Sequence, residues 1–174
     1  MDFNTIEYLK EGTTRQREAY GVLTEYQVLA KLEAFSPILV GTIPINIDIE
    51  TSDLDIICYW TDRQTFTAMV RDGFSSEKGF SIRESSTSGR DVVVANFSLE
   101  GFDIEIFGEN IPTRQQMGYR HMLIEHKLLS ERDEAFRQEI IALKRKGYKT
   151  EPAFGLLLGL QGNPYVELLA YENV

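Results

Sequence analysis

Cysteine is nearly missing from this chain: Cys58 is the only one in 174 residues. One cysteine forbids an intrachain disulfide, and a reducing cytoplasm is the expected compartment. Histidine is scarce too, with two residues. One thiol and two imidazoles give no basis for a structural zinc site. Positive charge is in deficit. The 18 Lys and Arg stand against 27 Asp and Glu, a net charge of −9. That balance argues against an extended nucleic-acid surface, which shows as a basic face. It leaves room for a small anionic substrate carried with a metal, because the metal supplies the positive charge. No apolar run approaches the roughly 20 residues of a membrane-spanning helix. The opening MDFNTIEYLKEG lacks the basic stretch and apolar core of a signal peptide. No repeat, low-complexity run or Pro/Gly-rich linker divides the chain, so residues 1–174 read as a single domain with a real core.

The patterning predicts the elements. Tyr20, Leu23, Tyr26, Leu29, Ala30 and Leu32 recur at three- and four-residue spacing. They predict a helix from Thr14 to Phe35, with Thr14 as N-cap and Pro37 as its end. Ile38–Val40 and Leu54–Trp60 read as strands, with a turn-rich connection between them. Thr61-Asp62 caps a helix to about Arg71. Three strand-like stretches follow at Phe80–Glu84, Val92–Leu99 and Phe102–Phe107. Ser85–Arg90 joins the first two, and Glu100-Gly101 makes a tight hairpin turn. Helical patterns then cover Gln115–Leu129, Asp133–Lys146 and segments near Phe154–Leu160 and Tyr165–Tyr171. This segregation predicts an α+β domain: a mixed or antiparallel sheet flanked by helices in residues 1–110, and a helical part in residues 111–174.

One stretch carries the chemistry. LVGTIPINIDIETSDLDIIC, Leu39 to Cys58, holds four carboxylates within strand-like apolar sequence. Side chains at i and i+2 share a strand face, so Asp53 and Asp55 project together while Leu54 and Ile56 pack elsewhere. In FDIEIFG, Asp103 and Glu105 share a face in the same way. If the two strands are neighbours, two to four carboxylates converge. Such charges repel, and a bound divalent cation resolves the conflict. Oxygen ligands suit Mg²⁺, which keeps waters and takes substrate phosphates as further ligands. Gly41 lets the backbone approach a ligand closely. Backbone N–H groups there, with the hydroxyls of Thr42 and Ser52, can hold phosphate oxygens. Asp48 and Glu50 read as solvated spacer charges.

Gly41-Thr42, ten intervening residues and Asp53-Leu54-Asp55 resemble the signature of the DNA polymerase beta-like nucleotidyltransferase superfamily. The threonine departs from the commoner glycine or serine but still offers a hydroxyl. FDIEIFGENIP, YRHMLIEHKLL and KTEPAF with GNPY resemble a small bacterial family of unknown function within that group. The resemblance implies a nucleotidyltransferase fold, two Mg²⁺ ions (or Mn²⁺) and a nucleoside triphosphate at Asp53 and Asp55. It implies a third acid at Asp103 or Glu105, with Glu105 favoured because it lies deeper in its strand. It also implies transfer of a nucleoside monophosphate from ATP or another NTP to an acceptor hydroxyl, with two metals stabilising the entering and leaving oxygens. An inactive binding module of the same fold is one alternative. A toxin–antitoxin-type nucleotidyltransferase is another.

Other residues have plain structural readings. His121 and Glu125 are i, i+4 neighbours on a helix and are expected to pair. Arg120, His121 and Lys149 are the candidates for phosphate or acceptor contacts. His126 reads as a surface histidine, and Cys58 and Trp60 as core. Thr150 reads as a helix cap with Pro152 in the first turn.

Overall fold

The computed structural model describes residues 1–87 and 89–172. A short 3₁₀ turn, Glu7–Glu11, precedes helix α1, Thr14–Glu25. The expected single helix to Phe35 is broken. Helix α2 is only Val28–Lys31, and a 3₁₀ turn spans Glu33–Phe35. Gln27 and Ser36 both sit in the left-handed region, at φ 53° and 49°, and these two reversals end the helical runs. The cap of α1 is Thr13, not Thr14. Its hydroxyl accepts from Gln16 N, and Gln16 returns a bond to the Thr13 amide. This reciprocal box satisfies two otherwise orphaned donors, which Thr14 cannot do with Arg17 at the third position.

The strands are β1 Ile38–Val40, β2 Leu54–Tyr59, β3 Lys78–Thr87, β4 Arg90–Leu99 and β5 Phe102–Glu109. Between β2 and β3 lies α3, Arg63–Phe74, capped by Asp62 through the Gln64 and Thr65 amides. The sheet runs β1-β2-β5-β4-β3. Strand β2 is parallel to β5 and every other pair is antiparallel, so the sheet is mixed. Most of the expected Ser85–Arg90 connection is strand: Ser85, Ser86 and Thr87 pair with Val92, Asp91 and Arg90. Ser88, in the same stretch, lies outside the described residues. The Glu100-Gly101 hairpin forms as expected, with both residues at positive φ. Tyr26 ties the turn to α1 by donating to Glu100 Oε1 at 2.8 Å.

Helices α4 Met117–Ser130, α5 Glu134–Arg145, α6 Thr150–Leu158 and α7 Pro164–Glu167 follow the sheet. Lys149, not Thr150, is the N-cap residue of α6. Strand alternation explains how the layers form. Leu54, Ile56, Cys58, Ile104 and Ile106 face one apolar layer with α1 and α3. Phe66 from α3 packs against Gly108 of β5, where a Cβ would collide with its ring. Ile38, Val40 and Ile57 face the other layer, with Met122, Leu128, Ile140 and Phe154 from α4, α5 and α6. The residue one step out of phase with Leu54 and Ile56 is Asp55, so it falls on the α4–α6 side of the sheet. The observed architecture is therefore the expected α+β fold, with a helical C-terminal part covering the face that carries the acids.

Candidate active site

The acidic pair and the second acidic strand do meet. Parallel pairing of β2 with β5 puts Asp55 directly opposite Glu105. Adjacent strands lie about 4.8 Å apart, so the two side chains leave the same face side by side. Asp53 stands just before β2. All three line one cavity of about 910 Å³ between the sheet and the helical part. Asp103 does not line it. It is exposed and accepts a hydrogen bond from Ser98 at 2.7 Å on the neighbouring strand.

The electrostatics follow from that crowding. Burial, then the charges of Asp53 and Glu105, push the Asp55 carboxyl up to about 7, against the opposing pull of Lys144 and Lys149. Burial and Asp53 also raise Glu105. Gly41 lies against this group. Its φ is +85°, and an added Cβ would run into the Asp55 carboxylate. Glycine is required there both for the turn and for the approach.

Thr42 and Ser52 close the spacer loop. Thr42 donates to Ser52 Oγ at 3.1 Å, and Ser52 Oγ accepts from the Ile49 amide at 3.0 Å. Both hydroxyls line the cavity. The loop is not a loose solvated connection: Ile43, Ile45 and Ile47 are buried. Glu50 is exposed, as expected, in a pair with Arg145 at 2.7 Å. Asp48 differs from the solvated reading. It is half-buried, and burial raises its carboxyl.

The helical wall corrects two readings. His121 does not pair with Glu125. Its Nδ1 lies 3.3 Å from Glu151 Oε1, and its Nε2 lies 2.9 Å from the Tyr165 carbonyl. The Glu151 contact, and then the Tyr165 carbonyl, raise the imidazole pKa against the opposing effect of burial. Arg120 turns away to Glu172, at 2.6 and 3.0 Å, and does not line the cavity. Lys149 does line it. His126 is half-buried, edge-on to Phe3 at 5.0 Å, rather than a free surface group. Cys58 and Trp60 are core residues, as expected.

Two cavity residues were not among the site candidates of the sequence reading. Lys144 of α5 is 8% exposed and donates to the Ile47 carbonyl at 2.9 Å. Burial lowers its pKa to about 8, although Glu125, Asp48, Asp53 and Asp55 all support its charge. Glu125 of α4 is buried with Oε1 unpartnered, and burial raises its carboxyl well above the usual range. A polar residue inside the apolar run MLIEHKLL was the available signal for Glu125; for Lys144 there was none.

The donor set fits a hard divalent cation by its chemistry: three carboxylate groups whose mutual repulsion a cation relieves. Among the described residues, no group of three or more His, Cys, Asp or Glu is already drawn together to hold one.

Similar solved structures include the Cid1 poly(U) polymerase with MgGTP bound, at 13% identity and TM-score 0.52, covering 74% of this chain and 41% of that one. Cid1 with the UTP analogue UMPNPP gives 12% and 0.55, covering 88% and 52%. The GLD-2/RNP-8 complex gives 14% and 0.54, covering 88% and 63%. The chain thus spans between 41% and 63% of the length of these neighbours. No curated protein matches by sequence. At these identities the likeness defines the fold, and the fold is that of the nucleotidyltransferases. Residues 21–171 match the family described as Domain of unknown function (DUF4269), and the chain belongs to that family.

Proposed function

We propose that the chain is a metal-dependent nucleotidyltransferase that moves a nucleoside monophosphate from a nucleoside triphosphate to a hydroxyl of a small molecule. The observation that carries this reading is the register of Asp55 against Glu105, beside Asp53 and Gly41, at one cavity. Asp53, Asp55 and Glu105 hold Mg²⁺ in this reading, and Asp103 drops out because it faces solvent. The Gly41-Thr42 turn and Ser52 receive phosphate oxygens, with Lys144 and Lys149 offsetting their charge. The acceptor oxygen bonds to the α-phosphorus, the bond to the bridging oxygen breaks, and pyrophosphate leaves. The hydroxyl proton passes to Glu105. Mg²⁺, when bound, supplies positive charge opposite the entering and leaving oxygens. Residues 1–110 supply the acids and the phosphate turn, and residues 111–174 add Lys144 and Lys149 and cover the acceptor side. The poly(U) polymerase neighbours act on RNA ends by their names. The net charge of −9 here favours a small acceptor instead.

Calorimetry tests the site. Mg·ATP is expected to bind the wild type and not the folded Asp53→Ala/Asp55→Ala double variant; unchanged binding there would show that the site is elsewhere. The alternative is a nucleotide-binding module of the same fold without catalysis. Labelled pyrophosphate release across an acceptor panel separates the two. Release supports transfer, and silence despite Mg·ATP binding supports the module.

A further inference from the structure

The sheet floor of the cavity continues past the acids. Glu105, Phe107 and Glu109 alternate along β5, so all three leave the same face, and all three line the cavity. Glu109 is 6% exposed. Among the described residues, nothing donates a hydrogen bond to its carboxyl. The Arg90 guanidinium, also on the cavity, acts on it through charge alone. The Glu109 oxygens are not sealed in as Glu125 Oε1 is, so they open into the cavity. A buried carboxyl without a donor is unfavourable, and one that faces a cavity points to a ligand that brings the donor.

Strand direction separates this end from the phosphate turn. Val40 pairs with Asp55, so Gly41 comes level with the start of β2, next to Asp53. Asp55 stands opposite Glu105 and Tyr59 opposite Glu109. The turn therefore lies on one side of Glu105 and Glu109 on the other. In-line displacement brings the entering oxygen in opposite the leaving pyrophosphate. With the phosphates on the turn, the entering side opens along β5 toward Glu109. Four residues of strand separate Glu105 from Glu109, about 13 Å. The cavity, at about 910 Å³, is near the top of the roughly 300–1,000 Å³ usual for a ligand pocket, which leaves room for a second molecule. Arg90 already opposes the rise that burial gives the Glu109 carboxyl, so this position lacks donors rather than charge. A hydroxyl suits it in either protonation state, because it donates to a carboxylate and accepts from a protonated acid; an ammonium suits the carboxylate alone.

We propose that Glu105, Phe107 and Glu109 form an acceptor subsite for a neutral polyhydroxyl compound of disaccharide size, with Glu109 as its far contact, a proposal that rests on the nucleotidyltransferase reading. One hydroxyl lies at Glu105. Its oxygen bonds to the α-phosphorus as the bond to pyrophosphate breaks, and its proton passes to Glu105. Hydroxyls at the other end of the molecule meet Glu109, and the carbon face between them rests on the Phe107 ring. The subsite thereby selects an acceptor by its length and by its far hydroxyls.

The test uses the full chain with Mg²⁺ and a non-hydrolysable ATP analogue. Calorimetry compares maltose, cellobiose, lactose and trehalose with glucose, and cellobiose with the β-1,4-linked glucosamine dimer. At least one neutral disaccharide is expected to bind about ten-fold or more tightly than glucose, which is too short to meet both Glu105 and Glu109. Glu109→Gln keeps the shape and is expected to weaken that disaccharide about ten-fold or more, the scale of hydrogen bonds to a charged group. Near-UV circular dichroism checks that the variant is folded. If it is not, amide chemical shifts of the wild type decide: the largest changes on adding the disaccharide are expected at residues 105–109, and changes elsewhere overturn the proposal. It is overturned equally by silence from all four disaccharides, by glucose binding as tightly, by the diamine binding more tightly than cellobiose, or by an affinity unchanged in Glu109→Gln. A separate titration of wild type with Mg·ATP reports on the nucleotidyltransferase reading: its failure sinks that reading, while the disaccharide comparison without nucleotide still judges the subsite.

Discussion

At the scale of single residues, Asp55 shows a conflict between stability and function. Its carboxyl is pushed to about 7, first by burial, then by Asp53 and Glu105. In the unfolded chain it titrates near 3.9. A raised acid pKa means that the folded state holds the proton more tightly. Stability from this group is therefore full at low pH, falls as pH rises from about 4 to 7, and stays lost above that. Asp55→Asn removes the buried charge while keeping the shape. Without metal at pH 8 it is expected to be more stable than wild type by about 2 kcal/mol, a rise of a few degrees in Tm. The gain should vanish near pH 4, where Asp55 is neutral anyway, and Mg·ATP binding should be lost. Melts in EDTA at the two pH values check this, and a variant that melts below wild type at pH 8 contradicts the burial account. Asp53, Asp55 and Gly41 were legible in the sequence because strand alternation and turn glycines are local rules. Glu125 and Lys144 were not, because a charged residue on a helix reads as solvated until its neighbours are known. The His121–Glu125 pairing failed for a related reason: the partner that wins, Glu151, lies 30 residues further on and arrives only with tertiary packing.

At the scale of elements, the spacer between β1 and β2 determines where the acids sit. Its backbone carbonyls are held one after another by side chains from outside the loop. Gln16 of α1 donates to Ile43 at 2.8 Å and Pro44 at 3.2 Å. Arg137 of α5 donates to Ile45 at 2.8 Å and Asn46 at 3.1 Å. Lys144 takes Ile47. Three buried isoleucines pin the same loop from below. Arg137→Met leaves two carbonyls without their donor, a loss of about 1–3 kcal/mol of local stability. Hydrogen exchange of the amides in residues 43–52 is expected to quicken by about ten-fold or more, while β4 and β5 stay protected. Uniform exchange across the whole chain would show that the loop has no stability of its own to lose. The strands and the later helices were legible from period and turn chemistry. The break after Glu25 was not, because Gln27 and Ser36 adopt left-handed backbone that neither residue type signals. The length of β3 was hidden as well. Its end, SST, is polar throughout, and its strand conformation comes from pairing with β4 rather than from its own pattern.

At the scale of the whole molecule, the cavity lies where two halves of the chain share a core. The apolar layer behind it draws Ile38, Val40 and Ile57 from the sheet and Met122, Ile140 and Phe154 from α4, α5 and α6. Its walls likewise come from β2, β5, the spacer, α4, α5 and the start of α6. A ligand bound there touches both halves, so its binding energy should appear as stability of the entire fold. Mass action gives about 2.7 kcal/mol at a free ligand concentration 100 times the Kd. For a chain of this size that is a rise of about 5–10 °C in Tm. The rise should require Mg²⁺ and ATP together. ATP alone meets three carboxylates, and Mg²⁺ alone lacks the phosphate ligands it prefers. Differential scanning fluorimetry with each component separately, with both, and with Asp53→Ala/Asp55→Ala measures this coupling. A full shift with ATP in EDTA, or in the double variant, would place nucleotide binding away from the acids and leave their crowding without a function.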